Sequence, residues 1–185
     1  MILVTPSAEH LASYLDALRR GWSPDNMRPE AARLEEMERI AVDPAGFVAA
    51  MTDREARGGP VPMPDGSSVP RLPGYRLWMW DGEFCGVIGF RWQPGTHLLP
   101  PHCLGHVGYS VVPWKQRQGL ATRALRDLLP LAKQEGLRYI HVTTDPENLA
   151  SQKVIEANGG LLIERFVRPP QFGSTPGLKY SVPLP

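Results

Sequence analysis

Apolar positions repeat at two intervals along the chain, and each change of interval marks a change of element. Ile2-Leu3-Val4 is a short apolar run closed by Thr5-Pro6, which predicts a strand. Leu11, Tyr14, Leu15 and Leu18 fall on one helical face, so a helix is predicted from Ala8 to about Arg20, with Ser7 as N-cap and Gly21 as terminator. Past the turn-rich Trp22-Ser23-Pro24-Asp25-Asn26, a helix is predicted from Pro29 to Ile40, and another after Asp43-Pro44 through Phe47, Val48 and Met51. Strands are predicted over Tyr75–Trp80 and Phe84–Trp92, joined by the hairpin signal Asp81-Gly82, with the aromatics Trp78, Trp80, Phe90 and Trp92 as core and cross-strand pairs. An alternating strand from His106 to Val112 stops at Pro113. The next helix, with Ala121, Ala124, Leu125, Leu128 and Ala132 on one face, is expected to break or kink near Pro130 and to end at Gly136. Leu137–Thr144 reads as a strand, Asp145-Pro146 as the cap of a helix ended by Gly159-Gly160, and Leu161–Val167 and Leu178–Val182 as the last two strands.

Between the helical and the strand-rich parts lies Gly58 to Gly74, where Pro60, Pro62, Pro64, Pro70 and Pro73 exclude a helix or a regular central strand. A loop of this length serves as a lid or cleft wall, or is a plain surface insertion. With 185 residues the chain suits one domain, 1–185, and a formal net charge of +1 gives no global field toward nucleic acid or membrane. Cys85 and Cys103 are too few for a disulfide framework and sit in no metal-type pair, and the five histidines show no ligand spacing, so no metal is expected. A single disulfide and two reduced thiols both remain open, the thiols being the expectation. Without an apolar run near 18 residues or a basic leader, the expectation is a soluble cytoplasmic protein.

The chemistry concentrates where the His106 strand turns into its helix: Val111-Val112-Pro113-Trp114-Lys115-Gln116-Arg117-Gln118-Gly119-Leu120-Ala121-Thr122. Gly119 lacks a Cβ, so an anion can approach the backbone closely, and the open N–H groups of the helix start favour phosphate or pyrophosphate. Gln116 and Arg117 add donors and charge. The dinucleotide fingerprint would need three glycines and a downstream acid, and the nucleotide P-loop a Gly-Lys-Ser/Thr; neither is present. The plainer reading is a glycine that merely eases a strand-to-helix turn.

Gln116-x-x-Gly119-x-Ala121 resembles the coenzyme A pyrophosphate signature of the GNAT superfamily of acyl-CoA-dependent N-acyltransferases. Downstream, Asn148-Leu149-Ala150-Ser151-Gln152-Lys153-Val154-Ile155-Glu156-Ala157-Asn158-Gly159-Gly160 is similar to that superfamily's following helix, where an Asn, a small residue and a terminal Gly recur at this spacing. The resemblance runs from Tyr75 onward. It implies an α/β (α+β) fold with a mixed, mostly antiparallel central sheet, a parallel splayed strand pair and flanking helices. Residues 75–185 would be the acyl-CoA core and 1–74 the acceptor side. The implied cofactor-binding residues are Val111, Val112, Gln116, Arg117, Gln118, Gly119, Leu120, Ala121, Thr122, Asn148, Ser151 and Lys153. The pantetheine arm would pair with backbone groups of Gly108 through Val112, where a free N–H polarises the thioester carbonyl. Asn148 either reaches that arm or stabilises the first turn of its own helix.

The implied activity is transfer of an acetyl group from acetyl-CoA to a primary amine of a small molecule or peptide, by direct attack in a ternary complex. A non-catalytic acyl-CoA-binding module is the alternative. Many members carry a tyrosine four residues after the small residue of the downstream helix, to protonate the thiolate; here that position is Ile155. Tyr109 and Tyr180 are the candidate substitutes. His106 is the candidate general base, since an ordinary histidine titrates near pH 6.5 and Gly105-His106-Val107-Gly108-Tyr109 echoes a setting in which relatives that acetylate protein N-termini carry an acid. The other reading of His106 is a strand histidine satisfied by a backbone carbonyl. Glu83 and His141 are weaker bases, and His97 and His102 lie in a loop where they could meet substrate. The Pro-rich C-terminal strands could supply the edge of a homodimer.

Overall fold

In the computed structural model, which describes residues 1–63 and 65–185, the alternating segments form two larger antiparallel sheets. Strand β1 (Ile2–Val4) lies beside β5 (Gly74–Trp80), followed by β6 (Phe84–Arg91) and β7 (Val107–Val111), and the short β2 (Thr52–Asp53) also pairs with β5. The second sheet has the order β8 (Tyr139–Thr144), β10 (Pro176–Pro183), β9 (Leu161–Val167). Helices α1 (Ala8–Arg19), α2 (Pro29–Val42) and α3 (Pro44–Ala49) precede β2, while α4 (Leu120–Gln134) links β7 to β8 and α5 (Leu149–Glu156) links β8 to β9. Within the proline-rich stretch, β3 (Val61–Pro62) and β4 (Ser68–Val69) pair as a small hairpin apart from both sheets; Pro64 between them lies outside the described residues. Cys85 and Cys103 are free thiols.

The pleat of the first sheet sorts its side chains onto two cores. Met79, Ile88, Phe90 and Val107 point to one face, where Leu125, Leu128 and Ala132 of α4 meet them and Ile140, Ile155 and Val182 continue the cluster. Trp78, Val87 and Val112 point to the other, against Leu11, Tyr14, Leu18 and Trp22 and then Ile40 and Phe47. Tyr14 stacks on Trp78 with ring centroids 4.6 Å apart, and Phe90 stacks on Trp92 at 5.4 Å. Trp80 is only half-buried, edge-on to His10. The buried carboxylate of Glu36 on α2 accepts from the Tyr14 hydroxyl and from Arg76 Nη1 at 3.0 Å, so the N-terminal helices are held to β5 by a satisfied polar contact.

Three local expectations are corrected. Helix α4 runs unbroken through Pro130, whose ring lies on the exposed side, so the carbonyl of exposed Arg126 that loses its partner is left to solvent. Asp145-Pro146 does not cap α5. It forms a turn in which Asn148 N–H donates to Asp145 O at 3.1 Å, and the cap is Asn148, whose Oδ1 accepts from Ser151 N–H at 3.0 Å. Ser7 occupies the N-cap of α1 without a capping bond, its hydroxyl pairing instead with His10 Nδ1 at 2.7 Å.

Gly86 governs how closely β6 approaches β7. Its φ of +155° and its position opposite Val111 leave no room for a side chain, since a Cβ would strike the Ser110 carbonyl oxygen and come within 2.9 Å of Val111 Cα. Gly86→Ala is expected to cost roughly 1–3 kcal/mol of strain, read as a lowered midpoint in urea; an unchanged midpoint would contradict this close approach.

Candidate functional site

Two features separated by one strand end define the site. The first is the turn between β7 and α4. A single 3-10 turn over Pro113–Lys115 carries the chain off the strand, and Arg117 (φ +62°) and Gly119 (φ +74°) then adopt left-handed conformations before Leu120 starts the helix. Alternating hands of this kind turn successive N–H groups toward one concavity that receives anions. Gly119 as N-cap provides no side-chain bond, so the first N–H groups of α4, those of Leu120, Ala121 and Thr122, have no capping acceptor. A Cβ on Gly119 would meet open space, as a cradle for an outside group requires. Gln116, Arg117 and Gln118 are exposed around it, Gln116 Nε2 reaching Val111 O at 3.3 Å. Lys115 is not available to an anion: Asp81 and Glu83 hold its ammonium at 2.6 and 2.8 Å.

The second feature is the outer edge of β7. Val112 N–H donates to Cys85 O at 3.0 Å and Arg91 N–H donates to His106 O at 2.9 Å, and the register pairs Ser110 with Val87 and Gly108 with Gly89. By the alternation of an antiparallel ladder, the peptide groups of Val107, Tyr109 and Val111 face away from β6, toward β8. Among the described residues β7 and β8 share no ladder, so that edge is open. This narrows the expectation of free backbone groups over Gly108 through Val112 to alternate residues. Val112 in particular has none to spare: its N–H is used by β6, its carbonyl accepts from Lys115 N–H at 3.0 Å, and its side chain is buried.

His106 sits where β7 and β8 are tied together. Its N–H donates to His141 O at 2.8 Å, and its ring Nδ1 accepts from His141 N–H at 2.9 Å. The ring is fully buried, and its Nε2 has no partner. With Nδ1 engaged as an acceptor, the neutral ring carries its proton on Nε2 and has no free lone pair for an amine's proton. Burial first, and then the positive fields of His141 and Arg91, push its pKa down to about 4. The backbone partner is thus a peptide N–H rather than the carbonyl named in the alternative reading, and the geometry opposes use of His106 as a base. His141, its partner, is likewise lowered, by burial and then by Lys179.

Tyr109, on the open edge, reaches across to α5, where its hydroxyl lies 2.9 Å from Ser151 Oγ and 3.3 Å from Ser151 O. Burial pushes its pKa up to about 12, partly offset by the Ser151 hydrogen bond. Ile155 is fully buried in the α4 core cluster, so the chain places a phenol one turn earlier along α5 and supplies it from the strand. Tyr180 spends its hydroxyl on Gln152 and Glu156, each at a long 3.5 Å. Exposed Lys153 makes no recorded contact with the cradle, and Asn148 is occupied as a cap. Asn158 Nδ2 donates to Thr122 O at 3.1 Å and Val154 O at 2.8 Å, fastening α5 to the first turn of α4.

On the opposite face of the sheet, residues not singled out from the sequence come together. Gly89 and Gly108 pair directly across β6 and β7, leaving a stretch of bare backbone flanked by Arg76 and Arg91. Trp22 Nε1 donates to Ser110 Oγ at 3.0 Å and closes one end. The available signal was the glycines themselves, since isolated glycine within a strand marks close approach by another group. Among the described residues no cluster of three or more metal-ligating side chains occurs, and no helix is long and apolar enough to cross a membrane.

The acetyltransferase (GNAT) domain model matches residues 2–160, and the chain belongs to that family. No curated protein matches the sequence. Among solved structures, RimL, a ribosomal L7/L12 alpha-N-protein acetyltransferase in complex with coenzyme A, is 14% identical with a TM-score of 0.60, over 98% of this chain and 93% of its own. The microcin C7 self-immunity acetyltransferase MccE, in complex with acetyl-CoA and AMP, is 10% identical with a TM-score of 0.55, over 98% and 91%. A GNAT-family acetyltransferase from Bacillus anthracis is 23% identical with a TM-score of 0.49, and this chain spans 65% of its length with 58% of its own. The mixed α/β architecture with antiparallel sheets and flanking helices matches the fold of RimL.

The His106 environment makes stability depend on pH. Its folded pKa of about 4 lies below the unfolded value near 6.5, so between those values the unfolded chain binds the extra proton. Stability should therefore fall as pH drops from about 6.5 to 4, by on the order of 3 kcal/mol from this residue. His106→Gln should flatten that part of the profile in urea titrations at stepped pH; identical profiles would show that the ring titrates normally in the fold.

Proposed function

We propose that the protein is an acetyl-CoA-dependent N-acetyltransferase acting on a primary amine of a small molecule or peptide, by direct attack in a ternary complex. The observation that carries this reading is the juxtaposition of an uncapped helix start, entered through left-handed Arg117 and Gly119, with the open edge of β7 that leads into it. The first suits a pyrophosphate and the second an extended, amide-bearing arm, which are the two parts of coenzyme A. Two neighbours that align along nearly the whole chain hold coenzyme A or acetyl-CoA, one a ribosomal L7/L12 alpha-N-protein acetyltransferase and one a microcin C7 self-immunity acetyltransferase, which supports both acceptor classes. The free thiols support a reducing, cytoplasmic setting.

Acetyl-CoA supplies an activated acyl carbon: the amine nitrogen forms the amide bond, the C–S bond breaks, and the sulfur leaves as a thiolate. The chain's own residues do the remainder. N–H groups of Gln118, Gly119, Leu120, Ala121 and Thr122 hold the pyrophosphate, with Gln116 and Arg117 beside it. The outward N–H groups of Tyr109 and Val111 bind the arm and stabilise negative charge growing on the carbonyl oxygen. The Tyr109 hydroxyl donates to the departing sulfur. A phenol at about 12 gives a hydrogen bond to a thiolate more readily than its proton, since thiols ordinarily ionise near 8.5. His106 fastens β7 to β8, and the amine's proton passes to solvent.

Acetyl-CoA at a hundredfold excess over its dissociation constant should stabilise the protein by about 2.7 kcal/mol, a rise of several degrees in Tm. Gly119→Val forces a β-branched residue into the left-handed region, so the shift should vanish while the free protein loses only about 1–3 kcal/mol. A full shift in the variant would place the cradle elsewhere.

Thiol release with acetyl-CoA and an amine panel then separates transfer from mere binding. Tyr109→Phe should lower kcat by roughly 10²-fold with coenzyme A affinity unchanged, and a wild-type kcat would remove Tyr109 from the chemistry. A Tm shift without any transfer would favour the acyl-CoA-binding module, the reading that buried Ile155 supports.

A further inference from the structure

The glycine floor on the acceptor face carries an unneutralised cation. Gly89 and Gly108 leave backbone where cross-strand neighbours would otherwise place side chains, and an arginine stands on either side. A Cβ on Gly89 would lie 3.6 Å from Arg76 Cγ, and one on Gly108 would lie 3.6 Å from Arg91 Nη2. The two arginines differ in their partners. Arg76 is paired with buried Glu36 at 3.0 Å. Arg91 donates Nε to Gly105 O at 2.8 Å, which fixes the plane of the group, and among the described residues no carboxylate pairs with its two terminal nitrogens.

The surroundings of Arg91 reinforce that charge. The groups whose fields reach His106 are Arg91, His141 and His97, every one of them basic. His106 Nε2 and His97 Nδ1 are buried without partners. A buried donor without an acceptor, close to an exposed guanidinium that no carboxylate of the described residues pairs, favours an anion supplied from outside. The position suits the chemistry. Gly108, against which the Arg91 guanidinium lies, adjoins Tyr109, whose outward N–H belongs to the open edge.

We propose that Arg91 anchors an anionic group of the acceptor, and that the acceptor is an amine bearing a carboxylate or phosphate only a few bonds from its nitrogen, with α-amino acids as the simplest members. The assignment rests on the acetyltransferase reading above. Arg91 is a specificity residue: it holds the acceptor by a fork of two N–H donors and takes no part in proton transfer. Trp22 over Ser110 bounds the same floor at its other end, so the acceptor lies between an aromatic wall and a cationic one.

The test compares matched acceptors: each L-amino acid with its amide, and phosphoethanolamine with ethanolamine. At equal pH more of the amide's amine is neutral, because a neighbouring carboxylate raises the amine pKa, so a preference for the acid runs against intrinsic reactivity. The expected result is a kcat/KM at least tenfold higher for the anionic member of one pair. That preference should fall roughly 10–100-fold in Arg91→Gln, as expected for losing hydrogen bonds to a charged group, and return in part in Arg91→Lys. The neutral partner's rate and the Tm shift with acetyl-CoA should be unchanged in both variants, which a folding defect would not allow. The carboxylate and phosphate arms show which anion is read. Equal rates for both members of both pairs, or a preference that survives Arg91→Gln, would overturn the proposal and leave transfer itself standing. Calorimetry of the same amines with the protein–coenzyme A complex gives a readout independent of turnover. If nothing is acetylated but the anionic amines bind and lose affinity in Arg91→Gln, the anchor stands and the transfer reading falls. If no anionic amine binds or reacts, the anchor is wrong.

Discussion

Among the described residues, the hydrogen bonds that tie one sheet to the other meet at His106. The His106 carbonyl accepts from Arg91 at the end of β6, its N–H donates to His141 O and its ring Nδ1 accepts from His141 N–H, so three hydrogen bonds converge on one fully buried residue at the base of β7. Beyond that point the strand bonds on one side only. An unladdered strand edge inside a protein is costly unless something satisfies its N–H and C=O groups. The chain spends almost nothing internal on them: Gln116 takes one carbonyl, and Tyr109 turns its side chain to Ser151. The edge is therefore left open, and the histidine fixes where it begins.

The rest of the architecture keeps that edge in position. Helix α4 is clamped on β6 and β7 by its stripe of Leu125, Leu128 and Ala132, and this aims its uncapped start at the end of the open strand. Helix α5 is fastened to the same first turn by Asn158, which places Ser151 opposite Tyr109. On the other face the N-terminal helices pack on Trp78, Val87 and Val112 and stop short of Gly89 and Gly108. One sheet thus separates the face covered by α4 and α5 from the face covered by the N-terminal helices, with β7 shared by both.

The electrostatics follow the same division. Acidic groups near the site are already committed: Asp81 and Glu83 to Lys115, Glu36 to Arg76 and Tyr14. What remains unpaired is positive or donor-rich, namely the helix start and Arg117 on one side and Arg91 with His106 Nε2 on the other. Burial first, and then the positive groups around it, depress the basicity of His106.

The elements and the turn before α4 were legible in the sequence because both depend on local rules. Period-two and helical spacing placed the α-helices and the seven longer strands within a few residues but not the two-residue β2, β3 and β4, too short to show a period, and Gly119 marked the turn because a glycine there combines a left-handed φ with an open approach. Misjudged local features had competing local solutions: Asn148 outcompeted Asp145 as a cap, and an exposed face let Pro130 stay within its helix. The role of His106 could not be read at all, since its residue type suits a base, and only the strand brought alongside by a crossover shows that its lone pair is taken by His141. Likewise Tyr109 meets Ser151, and Arg91 meets Gly108, through contacts between strands and helices far apart in sequence. Sequence fixes which groups a chain carries and the local turn each prefers; which lone pairs, charges and backbone edges remain free is decided by pairing at a distance.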